Sequence, residues 1–176
     1  MHRVLLGGEG LWCTVHGWLI SGRELYDQGG LVFILPKPGS DIKESKWIKT
    51  GIEFYQGSAY VSTVVKDRSA DWSLAQTNIK NGKEVTLLVE RHEKDDTLWI
   101  YAVDGENKAP LREVTWILSE DGDSEVWVGV YAARPMPGGD LEVKFEAFEL
   151  QLLWEFLACV HKAIIANKNK YEKRRF

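Results

Sequence analysis

Aromatic and charged side chains recur at alternate positions along several segments of this sequence. Trp47, Lys49 and Glu53 lie two and four residues apart, and the aliphatic residues Ile48 and Ile52 lie between them at positions of the opposite parity. Because successive side chains of a β-strand point to opposite faces, this spacing places the three groups on one face of a strand. Flat rings can stack on pyranose faces while charged groups hydrogen-bond hydroxyls, so the pattern favours a groove for a saccharide-like ligand.

Similar alternation in other segments, together with two polar turns, extends this candidate site. The candidate ligand-binding residues are Tyr26, Asp27, Gln28, Trp47, Lys49, Glu53, Trp72, Glu90, Trp99, Tyr101, Trp127 and Tyr131. We expect them to share one face, opposite a face that is aliphatic throughout. A structural interpretation stays open, since aromatic cross-strand pairs on a half-exposed sheet each contribute about 0.2 to 1 kcal/mol without any ligand. The two turns have structural alternatives too: Asp27 and Gln28 could hydrogen-bond loop amides, and Trp72 could cap the core.

Glycoside cleavage is the reaction that carboxylates on such a face could perform, and it requires two of them about 5 to 9 Å apart. Glu142 and Glu146 share one side of a segment, but Lys144 stands between them and the Glu-x-Asp-x-x-Glu signature of sandwich glycosidases is missing. Glu53 and Glu90 form a looser pair on strands whose adjacency the sequence does not establish. We therefore predict no catalytic residue, and a non-catalytic protein is favoured over an enzyme.

Metal and cofactor motifs are not recognisable in the sequence. The four histidines show no paired ligand spacing, and the glycines of residues 7–10 are not flanked by the strand and helix of a dinucleotide loop. The acidic residues 121–125 resemble a calcium loop but lack its turn glycine and closing glutamate. We expect neither a metal nor a cofactor.

Short alternating runs, separated by turns rich in Gly, Asn, Asp and Pro, predict about ten antiparallel strands and no helix between them. The predicted strands are residues 11–20, 30–35, 47–55, 59–66, 72–76, 84–92, 97–103, 112–118, 125–132 and 140–148. Strands of this number and spacing are typical of a sandwich or a barrel. Residues 1–151 are therefore predicted to form one all-β domain.

The C-terminal segment has a different period. Leu153, Phe156, Leu157, Val160 and Ile164 recur at helical spacing, so residues 152–176 are predicted to form an amphipathic helix followed by a basic tail. The apolar stretch is shorter than the about 20 residues that a membrane span requires, and it contains charged side chains. We expect no membrane span.

Composition limits the partners and the compartment. The chain has 176 residues and a net charge of −4, which gives no global attraction to nucleic acid. Cys13 and Cys159 have no CxxC or metal-ligand spacing, which favours free thiols in a reducing compartment. The N-terminal residues lack the apolar run of a secretory signal. We therefore expect a cytoplasmic protein that does not bind nucleic acid.

Four segments, in order along the chain, resemble a known family. They are ELYDQGGLVF (24–33), KWIKTGIEF (46–54), VVKDRSADWS (64–73) and WVGVYA (127–132). Over residues 23–150 the chain is similar to the domain of unknown function shared by bacterial proteins and the fungal regulator of enolase. The resemblance implies a concanavalin A-like jelly roll of two antiparallel sheets, no established reaction, and, for the fungal member, a cytoplasmic role in regulating enolase. The chain departs from the family in a shorter N-terminal lead and in the segment after residue 150.

Two functions follow as hypotheses from different classes. The first is a non-catalytic cytoplasmic protein that regulates enolase or another enzyme of sugar metabolism, as the resemblance implies. The alternative is a carbohydrate-binding or glycoside-processing domain that uses an aromatic and acidic concave face.

Overall fold

The computed structural model describes residues 2–5, 11–19, 24–76, 79–80, 84–92, 94–118 and 125–152, and shows two antiparallel β-sheets. The strands are β1 (His2–Leu5), β2 (Leu11–Leu19), β3 (Gln28–Leu35), β4 (Lys46–Tyr55), β5 (Ser58–Lys66), β6 (Ala70–Ala75), β7 (Glu84–His92), β8 (Thr97–Asp104), β9 (Asn107–Val114), β10 (Glu125–Ala133) and β11 (Val143–Leu152). The six-stranded sheet has the order β1-β10-β3-β4-β5-β6, and the five-stranded sheet the order β11-β2-β7-β8-β9. A short 3-10 helix, Ile42–Glu44, precedes β4.

The aliphatic sides of the two sheets form one core. Leu31, Phe33 and Ile48 of the six-stranded sheet are fully buried, as are Leu87 and Ile100 of the five-stranded sheet. Each such side chain contributes about 1.5 to 3 kcal/mol when it leaves water, so the alternating pattern itself drives the sheets together. The prediction of an all-β sandwich of two antiparallel sheets is confirmed.

Three strands differ from the sequence-based prediction by more than two residues. β1 was not predicted; it pairs with β10 at the edge of the six-stranded sheet. β9 begins at Asn107 instead of residue 112, because Asp104 pairs with Asn107 across a two-residue turn in which Gly105 has a φ of 59°. Pro110 lies inside β9, where a missing N–H is tolerated because the strand is at the sheet edge.

The third difference is at the C-terminal end of the described chain. β11 runs to Leu152 and contains an irregularity between Glu146 and Glu149, where Ala147 has a φ of 50°. Leu152 is therefore in a strand and not in the predicted helix. The rest of the predicted helix and the basic tail, residues 153–176, lie outside the described residues. Among the residues that are described, no helix is long and apolar enough to cross a membrane.

Cys13 lies in the core on β2 and is a free cysteine. Burial raises the pKa of its thiol to about 12, so the thiol is uncharged at neutral pH and a poor nucleophile. This agrees with the expectation of a free, buried thiol at this position; Cys159 lies outside the described residues.

Candidate functional site

The middle of the outer face of the six-stranded sheet carries a group of polar and aromatic side chains that contact one another. We call this group the outer cluster. It consists of Tyr26, Gln28, Lys49, Glu53, Tyr55, Ser62, Trp72 and Tyr131. Its members come from the turn before β3 and from β3, β4, β5, β6 and β10, which are consecutive neighbours in the sheet. Six of them are among the twelve candidate residues predicted from the sequence, including Tyr26 from the predicted polar turn and Gln28 at the start of β3.

Two glycines keep side chains out of the centre of this face. Gly30 on β3 is directly opposite Gly51 on β4. On the other side of each glycine, Gly30 is paired with Tyr131 of β10 and Gly51 with Ser62 of β5, so the four residues form one row across the sheet. A Cβ atom at Gly51 would lie 2.0 Å from the carbonyl oxygen of Gly29, so the neighbouring backbone leaves no room for a side chain. Gly30 and Gly51 are themselves buried, so the side chains of neighbouring residues cover this part of the sheet surface.

Glu53 is a buried carboxylate that orients an exposed indole. Its side chain is on the outer face, yet the residue is only 4% exposed. Its Oε2 atom accepts hydrogen bonds from Ser62 Oγ at 2.5 Å and from Trp72 Nε1 at 3.1 Å, and Trp72 Nε1 is also 3.2 Å from Ser62 Oγ. Such bonds offset the cost of removing a carboxylate from water. Trp72 is 45% exposed, so its ring is held in a fixed orientation with much of its surface open to solvent.

Lys49 provides a partly desolvated amine beside this carboxylate. Its Nζ atom donates a hydrogen bond to Gln28 Oε1 and lies 5.8 Å from the centre of the Tyr131 ring. Burial lowers the pKa of Lys49, and the negative charge of Glu53 acts in the opposite direction. Burial, and then the charge of Glu53, raise the pKa of Tyr131, so its phenol stays protonated at neutral pH.

An aromatic rim borders the polar groups. Tyr55 contacts Trp72 edge-on with ring centres 5.2 Å apart, and Tyr26 lies 5.9 Å from Tyr55 and 6.3 Å from Trp72. Tyr26 has a φ of 68°, a left-handed conformation that is rare for a tyrosine and is often found at functional sites. Its backbone N–H donates to the carbonyl of Phe54 at 2.7 Å, which holds it against the end of β4.

Asp27 has a structural role that differs from the predicted ligand contact. It is fully buried, and its two carboxylate oxygens accept hydrogen bonds from Arg134 Nε at 2.7 Å and Nη2 at 2.8 Å. It also accepts from the backbone N–H of Glu24 at 3.0 Å. Asp27 therefore fixes the turn that presents Tyr26 and Gln28, as the structural interpretation of this turn anticipated.

Trp47 and Trp127 are on the same outer face but in the next row of the sheet. Both are paired in register with Ile34, from β4 and β10 respectively. Trp127 Nε1 donates a hydrogen bond to Glu125 of its own strand. These two tryptophans thus extend the aromatic surface beyond Lys49.

The expectation that all candidates share one face is wrong for Glu90, Trp99 and Tyr101. These residues are on β7 and β8, in the five-stranded sheet, and point away from the core on the opposite side of the sandwich. Alternation along a strand separates its two faces, but it does not show to which sheet the strand belongs. For the same reason Glu53 and Glu90 are not a carboxylate pair.

The other carboxylate pair is on a solvent-exposed surface. Lys144 Nζ lies 2.5 Å from Glu146 Oε1 on the edge strand β11, and both side chains are about half exposed. In the part of the chain that the structure describes, no group of three His, Cys, Asp or Glu side chains could hold a metal ion.

Ser62 and Arg134 were not identified from the sequence. Ser62 lies in the apolar run of β5. Its one indication in the sequence was that a small polar residue occupies a position that points to the outer face. Arg134 lies 107 residues from its partner Asp27, so no local pattern connects them.

Comparison with known proteins gives a family and a fold. A family model described as Protein of unknown function (DUF1349) matches residues 17–152. An uncharacterized protein of Emericella nidulans, AN7484, is 48% identical over 128 residues, which are 72% of this chain and 62% of that protein. The chain therefore spans less than two thirds of the length of this relative.

Two solved structures have a similar fold. A functionally unknown protein from Saccharomyces cerevisiae has a TM-score of 0.66 and 26% sequence identity, over 88% of this chain and 74% of the other. The GH43 protein BlXynB of Bacillus licheniformis has a TM-score of 0.57 and 15% identity, over 81% of this chain and 27% of the other. The second similarity shows the fold alone.

Proposed function

Since this chain belongs to the family Protein of unknown function (DUF1349), we propose from its own outer cluster that it binds a small, hydroxyl-rich ligand of the saccharide class and does not convert it. The observation that carries the proposal is the pairing of an exposed, oriented indole with a half-buried amine. Trp72 offers a ring face, and Lys49 lies on the same face of the sheet beside Glu53.

The chemistry of the outer cluster fits a polyol. An indole face stacks on the C–H bonds of a sugar ring, while an amine next to it can hydrogen-bond hydroxyl groups. The buried Gln28 orients this amine, because its Oε1 accepts from Lys49 Nζ while its Nε2 donates to the carbonyl of Tyr26 at 3.0 Å. Prior orientation of these groups reduces the entropy that a ligand must otherwise overcome on binding.

The same cluster argues against glycoside cleavage. Glu53 is its single carboxylate, and cleavage requires a second one about 5 to 9 Å away. The Oε2 atom of Glu53 is also engaged by Ser62 and Trp72. Glu53 therefore acts as a positioning group for the indole.

Replacing Trp72 with alanine should weaken saccharide binding at least about tenfold, equivalent to about 1.4 kcal/mol, because the stacking face is lost. A panel of mono- and disaccharides would first be screened by thermal shift, and affinities of the hits measured by calorimetry. Trp99→Ala is the matched control, since it removes a tryptophan from the opposite face of the sandwich. A panel without a single hit, or equal affinity of Trp72→Ala and the unaltered chain, would contradict the proposal.

We propose as a second candidate that the chain binds an enzyme of sugar metabolism such as enolase, in the cytoplasm. The four segments that resemble the regulator of enolase family contain β4 and β6 residues of the outer cluster, as well as the Tyr26 turn and Tyr131. This coincidence supports the outer cluster as the surface that a protein partner would contact.

Purified enolase should then form a complex with the chain in sedimentation experiments, and Trp72→Arg should abolish it by placing a charge on the surface. Trp99→Arg is the control and should leave the complex intact. If enolase and the unaltered chain sediment independently at tens of micromolar, this second candidate is wrong, and the saccharide proposal is unaffected.

A further inference from the structure

Three rings form a group on the outer face of the five-stranded sheet. Trp99 and Tyr101 are on β8, and His92 is at the end of the neighbouring strand β7. The ring centres of His92 and Trp99 are 5.5 Å apart, those of Trp99 and Tyr101 5.9 Å, and those of His92 and Tyr101 6.5 Å. All three residues are half-buried, so part of each ring meets solvent.

These distances and angles describe a platform instead of a column. The three ring planes lie within 20–29° of one another. A column of three stacked rings would separate the outer two by about 10 Å or more. The near-equal sides of the observed triangle therefore exclude a column, and nearly parallel rings at these distances are offset from one another.

A hydrogen bond between ring edges supports this arrangement. The hydroxyl of Tyr101 is 3.2 Å from His92 Nε2. Both atoms lie in the planes of their own rings, so a contact between them joins the rings edge to edge. The platform is thus a compact group in which His92 and Tyr101 meet edge to edge and the Trp99 ring lies nearly parallel to both, offset from them.

Charged groups border the platform on one side. Glu90 accepts hydrogen bonds from Lys108 Nζ at 2.9 Å and from His92 Nε2 at 3.3 Å. Partial burial acts to raise the pKa of Glu90, but the hydrogen bonds from Lys108 and His92 outweigh it and lower the pKa. Lys108 Nζ also lies 5.5 Å from the centre of the Tyr101 ring. A fixed carboxylate and an amine are therefore available beside the rings.

We propose that the platform of His92, Trp99 and Tyr101 is a second binding site, which takes the flat face of a polysaccharide. Consecutive pyranose rings lie over the aromatic surface, and Glu90 and Lys108 hydrogen-bond hydroxyl groups along its border. A platform of this width contacts more than one sugar ring, so an extended chain is bound in preference to a monosaccharide.

The charge and shape of the surface favour a polysaccharide over other ligands that stack on rings. Single-stranded nucleic acid also stacks on aromatic platforms, but it needs cationic side chains along its phosphates. Here Glu90 and the nearby Glu113 are negative, and the net charge of the chain is −4. An amphipathic helix would require an apolar groove, whereas Glu90, Lys108 and His92 make this surface polar.

The platform and the outer cluster are on opposite sides of the sandwich, so each can be tested without the other. The probes are insoluble cellulose, xylan, chitin and β-1,3-glucan, and the bound fraction is measured after sedimentation. Trp99→Ala should reduce the bound fraction at least about tenfold on the polymer that the unaltered chain binds, because the ring that contacts both others is lost.

Two further variants keep this test decisive. Tyr101→Phe retains the ring and should keep most of the binding, whereas Ile42→Ala, which removes an exposed apolar side chain outside both sites, should bind the polymer as the unaltered chain does. Circular dichroism and the melting temperature establish that each variant is folded. If Trp99→Ala does not fold, Tyr101→Ala takes its place in the comparison.

Several outcomes would overturn the proposal. The first is that the unaltered chain binds none of the four polymers. The second is that Trp99→Ala binds the polymer as well as the unaltered chain does. The third is that the unaltered chain binds a single-stranded oligonucleotide and that Trp99→Ala abolishes this binding. None of them affects small-saccharide binding, which depends on Trp72. Loss of polymer binding in Trp72→Ala but not in Trp99→Ala would assign the polymer to the outer cluster instead.

Discussion

Arg134→Met is expected to destabilise the folded chain by about 3 to 5 kcal/mol, because it leaves a buried carboxylate without its partner. Asp27 is fully buried, and Arg134 satisfies both of its oxygens through two hydrogen bonds of 2.7 and 2.8 Å. Methionine preserves much of the side-chain volume but supplies neither the charge nor the donors. The loss is a large part of the about 5 to 15 kcal/mol that stabilises a typical domain.

Urea unfolding at pH 7 measures this change. The control is Lys37→Met, which breaks the exposed pair of Lys37 and Glu44 at 3.2 Å and should cost at most about 1 kcal/mol. The double variant Asp27→Asn, Arg134→Met should recover part of the loss, because no buried charge remains. If Arg134→Met is no more destabilising than Lys37→Met, the assignment of this pair as the anchor of the Tyr26 turn is wrong.

Gly51→Ala is the second change with a large expected effect. The added Cβ would lie 2.0 Å from the carbonyl oxygen of Gly29 and 2.7 Å from its carbonyl carbon, and these atoms belong to the backbone of the neighbouring strand. A side chain could move aside, but a paired backbone can do so only if β3 and β4 separate. We expect a loss of about 4 kcal/mol or more, which is beyond the usual range for a single substitution.

The melting temperature should therefore fall by about 10 °C or more, since about 1 kcal/mol corresponds to about 2 to 4 °C in a domain of this size. Gly139→Ala is the matched control, because a Cβ there meets nothing within 4 Å. Its melting temperature should stay within about 2 °C of that of the unaltered chain. A similarly small change in Gly51→Ala would contradict the close approach of the two strands.

The fold was largely predictable because its determinants are local. Alternation in β4, for example, separates Ile48 and Ile52 in the core from Lys49 and Glu53 on the outer face, although contacts on that outer face also bury Glu53. The start of β9 was mispredicted because Pro110 and Gly105 are common in loops, and the sequence does not reveal that they occur at a sheet edge and in a tight hairpin turn.

The composition of the site was only partly predictable because it depends on contacts between distant strands. The sequence identified Lys49, Glu53 and Trp72 individually, but not that Ser62 joins Glu53 to Trp72. It also merged two surfaces into one, since Trp99 has the same alternating pattern as Trp47 although the two are in different sheets. The contact of Ser62 with Glu53 and Trp72, and the separation of Trp99 from Trp47, both depend on the order of the strands in the sheets. That order is determined by the packing of the whole chain.

The indole N–H of Trp72 reports on the central claim, that the outer cluster binds a saccharide, more directly than any stability measurement. Its resonance in a ¹H–¹⁵N spectrum would be assigned by its loss in Trp72→Phe. Titration with a saccharide that raises the melting temperature should move this resonance in a saturable way, because the ligand contacts the ring whose Nε1 donates to Glu53. Binding that leaves the Trp72 resonance unchanged would contradict the assignment of this surface as the ligand site.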